Sequence, residues 1–430
     1  MSHPRALSLT PTPLSGGEGL CIGIGSSTKL KEYLVVARRD ILALGVAAAT
    51  SGLTNAATAQ AAPRIVRYSR LGRTELKISD ISFGSASMTD PDLVRHALAR
   101  GVNYFDSAES YRGGLAEEAI GEALQGKRKQ VYLTSKTKAG ADDRRGDMMA
   151  ALEASLKRLR TDYVDVYFLH AVNSVDRLRN PEWREFTELA KRQGKIRFRG
   201  VSGHGGKLVE CLHYVLDNDI ADVLLLAYSF AQDPTFTDKI RHTFHWAAIQ
   251  PDLTPVLSKA KNKDVGVIAM KTLMGGRMND MRPYERAGGT FSQAAFRWVL
   301  SNPQVDALVI SMTSKEEVDE YVAASGTSRV SDYDKGLLER YVELSSGNYC
   351  QPGCARCEHS CPSGVAVSEV LRSRMYARDY GDLTLAREAY AGLGTGASAC
   401  IGCTSQACLG QCPVNVPVAH LTRETAVMLG

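Results

Sequence analysis

Asp162-Tyr163-Val164-Asp165-Val166-Tyr167-Phe168-Leu169-His170 decides how the chain is read. Seven residues of mostly β-branched or aromatic character form a buried strand, and the run stops on a polar imidazole. Working outward, seven further runs of this kind occur, so the full set is 78–83, 103–106, 131–135, 163–169, 197–201, 223–228, 266–270 and 307–310. Each is bounded by Gly, Asp, Asn or Ser, and amphipathic stretches separate them. Met149, Leu152, Leu156 and Leu159 recur at helical spacing in one such stretch, and residues 292–300 form another. Strand-then-helix units of this number, over about 250 residues, predict an α/β fold, a (β/α)8 TIM barrel. The rival is an open doubly wound sheet, which places a glycine-rich turn after its first strand. Here that strand runs into Phe83-Gly84-Ser85-Ala86-Ser87-Met88, without the G-x-G-x-x-G pattern. Before it, residues 68–76 read as a hairpin turning at Gly72, suited to plugging the barrel floor.

The bulk composition is that of an ordinary globular protein, 44% hydrophobic and 23% charged over 430 residues. A net charge of +5 gives no argument for nucleic acid as a partner. Residues 1–36 are rich in Pro, Ser and Gly and lack periodicity. Arg38-Arg39 then precedes a modest apolar run ending near Ala59-Gln60-Ala61. Paired arginines, a short apolar stretch and a small-residue end resemble a twin-arginine export signal; the bland reading is a hydrophobic helix with two basic residues before it. The run is too short and too rich in Ala, Gly, Ser and Thr for a stable membrane span. The domain expectation is therefore a leader over 1–62, a barrel over 63–344 and a cysteine-rich domain over 345–430.

Four polar residues stand at or just after successive strand ends: Asp106, Tyr111, Lys136 and His170. Strand C-termini of a barrel open on one face, so these groups can converge there. Their chemistry is complementary. Carbonyl reduction needs a hydride on carbon and a proton on oxygen. A tyrosine is a weak acid, and a neighbouring lysine cation favours its phenolate. An aspartate holds the lysine charged, and a histidine orients the substrate oxygen. Singly, the four read as a helix cap, a loop residue, a solvated charge and a strand-end histidine. Together and in this order they read as a site.

Phe105-Asp106, Tyr111, Thr134-Ser135-Lys136, residues 162–170, Arg199-Gly200-Val201-Ser202 and Val267-Ile268-Ala269-Met270-Lys271 resemble the aldo/keto reductase family from about residue 66 to 325. The resemblance implies NADP(H), a small-molecule aldehyde or ketone as substrate, and Tyr111 as general acid. It also implies that Ser202 bonds the nicotinamide amide. The loop carrying Met270, Lys271, Thr272, Leu273 and Gly275 would follow the pyrophosphate. Thr313, Lys315, Glu317 and Glu320 would face the adenosine end, Lys315 toward a 2′-phosphate. Three positions depart from the family: Gly203-His204 stands where many relatives have Asn after the serine, Met270-Lys271 where many have a stacking aromatic, and residues 224–228 lack the glutamine often found there.

Eight of the ten cysteines lie between Cys350 and Cys412; Cys21 and Cys211 stand alone. Cys350-x3-Cys354-x2-Cys357-x3-Cys361-Pro362 and Cys400-x2-Cys403-x4-Cys408-x3-Cys412-Pro413 each resemble the ferredoxin pattern C-x2-C-x2-C-x3-C-P. Each departs from it by inserted residues. The expectation is two [4Fe–4S] clusters in a ferredoxin-like, α-helical C-terminal domain, able to serve an electron-transfer partner, with ligands shared between motifs as ferredoxin doublets do. Zinc held by four thiolates, disulfides formed after export and a tail without metal are the other readings. Between the motifs, Arg372, Arg374, Arg378 and Arg387 read as a solvated helical face. An alternative to the whole enzyme reading is an electron-transfer or binding protein whose barrel is no catalyst.

Overall fold

The computed structural model describes residues 62–205, 207–232, 253–273, 280–345, 350, 354–413 and 415–430. The twin-arginine leader, Cys21 and Gly275 lie outside the described residues. Residues 61–430 form one compact unit.

Two short antiparallel strands come first, β1 (Tyr68–Arg70) and β2 (Lys77–Ser79). Eight parallel strands follow: β3 (Ile81–Gly84), β4 (Tyr104–Asp106), β5 (Tyr132–Thr137), β6 (Val164–Leu169), β7 (Ile196–Gly203), β8 (Val223–Ala227), β9 (Gly266–Met270) and β10 (Ala307–Ser311). They close into a barrel in sequence order, β10 pairing with β3. The TIM-barrel expectation holds. The first strand run, 78–83, is in fact two elements. Its opening residues belong to the hairpin and its end to the barrel, with the chain cornering at Asp80. That carboxylate accepts from Ile81 N, Ser325 Oγ and Gly326 N. The alternation of Ile78, Ser79, Ile81 and Ser82 suits a strand, while the polar residue between the two halves, Asp80, makes the corner.

Strand alternation sorts the side chains. Tyr104, Val166, Phe168, Val223, Leu225, Ile268 and Val309 fill the lumen together with Leu71, Leu76 and Ile78 from the hairpin. Phe105, Leu133, Tyr167 and Leu169 point outward to the helices. The hairpin is therefore the floor of the barrel, as its sequence suggested. Its turn requires Gly72: φ is +47°, and a Cβ there would collide with the backbone of Gly266.

The cysteine-rich segment is helical, with Arg356–His359, Val367–Arg378, Leu383–Ala391 and Val418–Leu429. Its apolar side chains, among them Val370, Leu371, Ala386 and Ala426, join the same core as the barrel helices. Among the described residues no helix is long and apolar enough to cross a membrane.

Candidate active site at the barrel mouth

Alternation also places the polar groups. Tyr104 points inward and Phe105 outward, so Asp106 points inward at the strand end. The same count along β5 and β6 turns Lys136 and the residue after Leu169, His170, toward the mouth. Lys136 Nζ donates to Asp106 Oδ2 at 2.6 Å and to Ser107 O at 2.6 Å. Tyr111 Oη accepts from the same amine at 3.4 Å. Thr134 Oγ1 donates to Asp106 Oδ1 at 3.0 Å and fixes the carboxylate. Lys136 and Asp106 are both buried. The Tyr111 and His170 rings meet edge-on, centroids 5.6 Å apart. Sequence reasoning brought these four together, and the structure does the same.

The electrostatics differ from the expectation in one respect. Burial pushes the Tyr111 phenol well above its ordinary value, with Asp106 and Tyr376 acting the same way. The anticipated lowering by Lys136 does not win: desolvation penalises the phenolate, and the Asp106 carboxylate disfavours it as well. Burial also lowers Lys136, against the pull of Asp106. His170 is held well below the usual histidine range by burial and then by Lys136, so its imidazole is neutral. Its Nδ1 is buried with no partner among the described residues. The backbone beside it is clamped by Arg177, which donates to Ala139 O, Ala171 O and His170 O.

A cavity of about 1230 Å³ opens over this group. Ser202, Met270, Lys271, Leu273, Thr313 and Glu317 line it beside the tetrad. Ser202 Oγ already accepts from Ala171 N at 3.0 Å. Glu317 Oε2 accepts from both the backbone and the hydroxyl of Thr313 at 2.8 Å. Thr272 is buried, its hydroxyl without a partner among the described residues, and is not part of the lining. Lys315 and Glu320 do not line the cavity either. Lys315 opens the helix Lys315–Val322, and Glu320 accepts from Thr290 Oγ1.

The roof of the cavity comes from the cysteine-rich segment. Glu369, Arg372 and Tyr376 of the helix Val367–Arg378 line it, as does Asp382. Tyr376 Oη lies 2.9 Å from Lys271 Nζ, Glu369 Oε1 lies 3.3 Å from His204 Nδ1, and Arg112 Nη1 donates to Asp382 Oδ1 at 2.8 Å. The solvated-face reading fails for Arg372, whose side chain is 10% exposed and paired with Glu369. Arg374 and Arg378 pair with Glu424 instead. These roof residues carry no motif; sequence reasoning missed Glu369, Tyr376 and Asp382 and gave Arg372 a different role.

His204 is lowered to about 4, chiefly by burial. A histidine whose folded value lies below its unfolded one, about 6.5, stabilises the fold fully above that pH and loses the contribution as pH falls. Denaturant midpoints should therefore drop as the pH goes from about 6.5 toward 4, and His204→Gln should flatten that slope. An equal slope in wild type and variant would contradict this.

The eight tail thiols fall into two neighbourhoods. Burial pushes Cys357 up to about 12, with Cys354 and Cys412 adding to it. Cys350 is pushed well up by burial and by the company of Cys354, Cys357 and Cys412. Burial raises Cys408, and its thiol neighbours are Cys361, Cys403 and Cys400. Among the described residues no three Cys, His, Asp or Glu side chains converge on a single ion position.

Comparison with known proteins agrees with the barrel. A family model described as the aldo/keto reductase family matches residues 81–285. L-galactose dehydrogenase of Arabidopsis thaliana is 27% identical over 292 residues, 59% of this chain and 86% of that protein. A solved aldo/keto reductase of Klebsiella pneumoniae in complex with NADP and acetate is 26% identical, with a TM-score of 0.50, covering 64% of this chain and 95% of its own. A structure of an aldo-keto reductase from the same organism in complex with NADPH is 25% identical, with a TM-score of 0.50, covering 64% and 94%.

Proposed function

Residues 81–285 belong to the aldo/keto reductase family, and from that premise we propose that the protein is an NADP(H)-dependent oxidoreductase that reduces an aldehyde or ketone. The observation that carries this is the Asp106–Lys136–Tyr111 chain of contacts beside neutral His170, at the foot of one large cavity. The cavity fits a dinucleotide in size, exceeding the roughly 300–1,000 Å³ of ordinary ligand sites. Ser202, Met270 and Leu273 on one side, and Thr313 and Glu317 on the other, would hold it. When bound, the reduced nicotinamide supplies the hydride that goes to carbon.

The chain's own groups handle the oxygen. Tyr111, kept protonated by burial, gives its proton to the developing alkoxide. Lys136 stands beside the phenolate so produced and stabilises it until solvent returns a proton. Asp106 fixes the amine in that place. His170, uncharged, offers a hydrogen-bonding edge to the carbonyl oxygen without competing for the proton.

The tail is read as carrying two [4Fe–4S] clusters. The thiol neighbourhoods support a crossed assignment: Cys350, Cys354, Cys357 and Cys412 for one, Cys400, Cys403, Cys408 and Cys361 for the other. Each set takes three ligands from its own motif and the fourth from the other, as ferredoxin doublets do. A four-iron cubane is wider than one ion, so its thiolates stand further apart than around a zinc with bonds of about 2.3 Å. The Arg38-Arg39 leader supports export of the folded, loaded protein.

The test joins both halves of the reading. NADPH consumption is measured against a panel of aldehydes and ketones, and iron, sulfide and zinc are assayed on the same anaerobic preparation. Carbonyl-dependent oxidation with about eight irons per chain is expected from two four-iron clusters. NADPH binding without turnover of any carbonyl would defeat the enzyme reading; stoichiometric zinc would defeat the cluster reading.

A further inference from the structure

Lys271 is a group at the mouth whose charge the fold leaves open. It follows β9 at φ +58°, a strained backbone for a side chain with a Cβ. Its amine reaches in under the roof. There Tyr376 Oη accepts from Nζ at 2.9 Å, and the ammonium also sits 5.5 Å from that ring's centroid. Among the described residues no carboxylate lies within ion-pair distance of it. Arg372 and Glu369 are the charged groups that act on it, and they are paired. Arg372 is matched by Glu369, Lys136 by Asp106, and Arg112 by Asp382. His204, under the same roof, is neutral at ordinary pH.

Lys271 is part-buried, and an ammonium there whose hydrogen-bond partner is neutral gains from a counter-charge that arrives with a ligand. It has three donors, and Tyr376 takes one. Lys271 and Tyr376 line the same cavity as Tyr111, Lys136 and His170.

We propose that Lys271, held by Tyr376 of the cysteine-rich segment, is the subsite for a carboxylate on the carbonyl substrate. The enzyme is then selective for anionic aldehydes or ketones, and the tail is a wall of the active site. This rests on the reductase reading above. It departs from the family expectation that the loop after β9 serves only the pyrophosphate.

The probes are para-carboxybenzaldehyde and its methyl ester, which differ in charge and little in size. Each is titrated calorimetrically into the full-length protein saturated with NADP+, so that no turnover is needed. Wild type should bind the carboxylate at least about tenfold more tightly than the ester, as one charge-assisted hydrogen bond allows. Lys271→Met should bring that ratio to about one, Tyr376→Phe should reduce it part of the way, and Lys271→Arg should keep it. An unchanged ratio in Lys271→Met and Tyr376→Phe overturns the proposal. So does a Lys271→Met protein whose NADP+ affinity falls at least tenfold while the ratio stays, since the amine then belongs to the cofactor. The Tyr376→Phe change removes one oxygen and reports even if Lys271→Met fails to fold. Failure of the reductase reading shows separately, as absence of NADPH turnover with the ratio intact.

Discussion

Tyr111→Phe is expected to lower kcat for carbonyl reduction by about 100- to 10,000-fold, the span of general acid catalysis. NADPH affinity should stay within about twofold, because nothing but one oxygen is removed. The substitution is clean for a structural reason. The ring packs edge-on against His170 and lies 4.7 Å from the Lys136 amine, contacts a phenylalanine reproduces. Only the oxygen that accepts from Lys136 is lost. Burial keeps that phenol protonated well past neutrality. The wild-type rate should therefore hold level through neutral pH and fall only when the phenol ionises, above its ordinary value of about 10. Steady-state kinetics over a pH series checks both statements. A Phe variant with undiminished kcat would remove Tyr111 from the chemistry.

Asp106→Asn should be damaging in a different way, through folding as well as rate. Among the described residues the carboxylate is the only anion bonded to Lys136, and both are buried. Taking away one partner of a buried ion pair costs about 3–5 kcal/mol, because the other is left charged and unpaired. Burial already lowers the Lys136 amine, so without Asp106 it sheds its proton more readily, and the phenolate loses its support. Adding Lys136→Met to Asp106→Asn should then recover much of the lost stability while leaving the protein inactive. Urea unfolding of wild type, the two single variants and the double, with kcat measured alongside, closes the cycle. If the double variant is as unstable as the sum of the singles, the two residues do not act as a pair.

The tetrad was legible in the sequence because strand geometry is a local rule. Once Tyr104, Phe105 and Asp106 are a strand, their alternation is fixed, and a barrel gathers its strand ends on one face. The hairpin floor was legible for a similar reason, through Gly72 and the apolar residues around it. The corner at Asp80 was not read, because its partners Ser325 and Gly326 lie about 245 residues away. Neither was the sign of the Tyr111 shift. It depends on how far burial desolvates the phenol and on Asp106 and Tyr376 near it, which no motif encodes.

What the amino-acid sequence determined by itself is the barrel and the order of the four polar groups around its mouth, because both follow from short-range periodicity. What only the tertiary structure decided is the roof: Tyr376 on Lys271, Glu369 on His204 and Asp382 on Arg112. Those partners are separated by a hundred or more residues. No repeat or spacing encodes such contacts; they exist because two apolar surfaces bury each other and carry their polar groups into register.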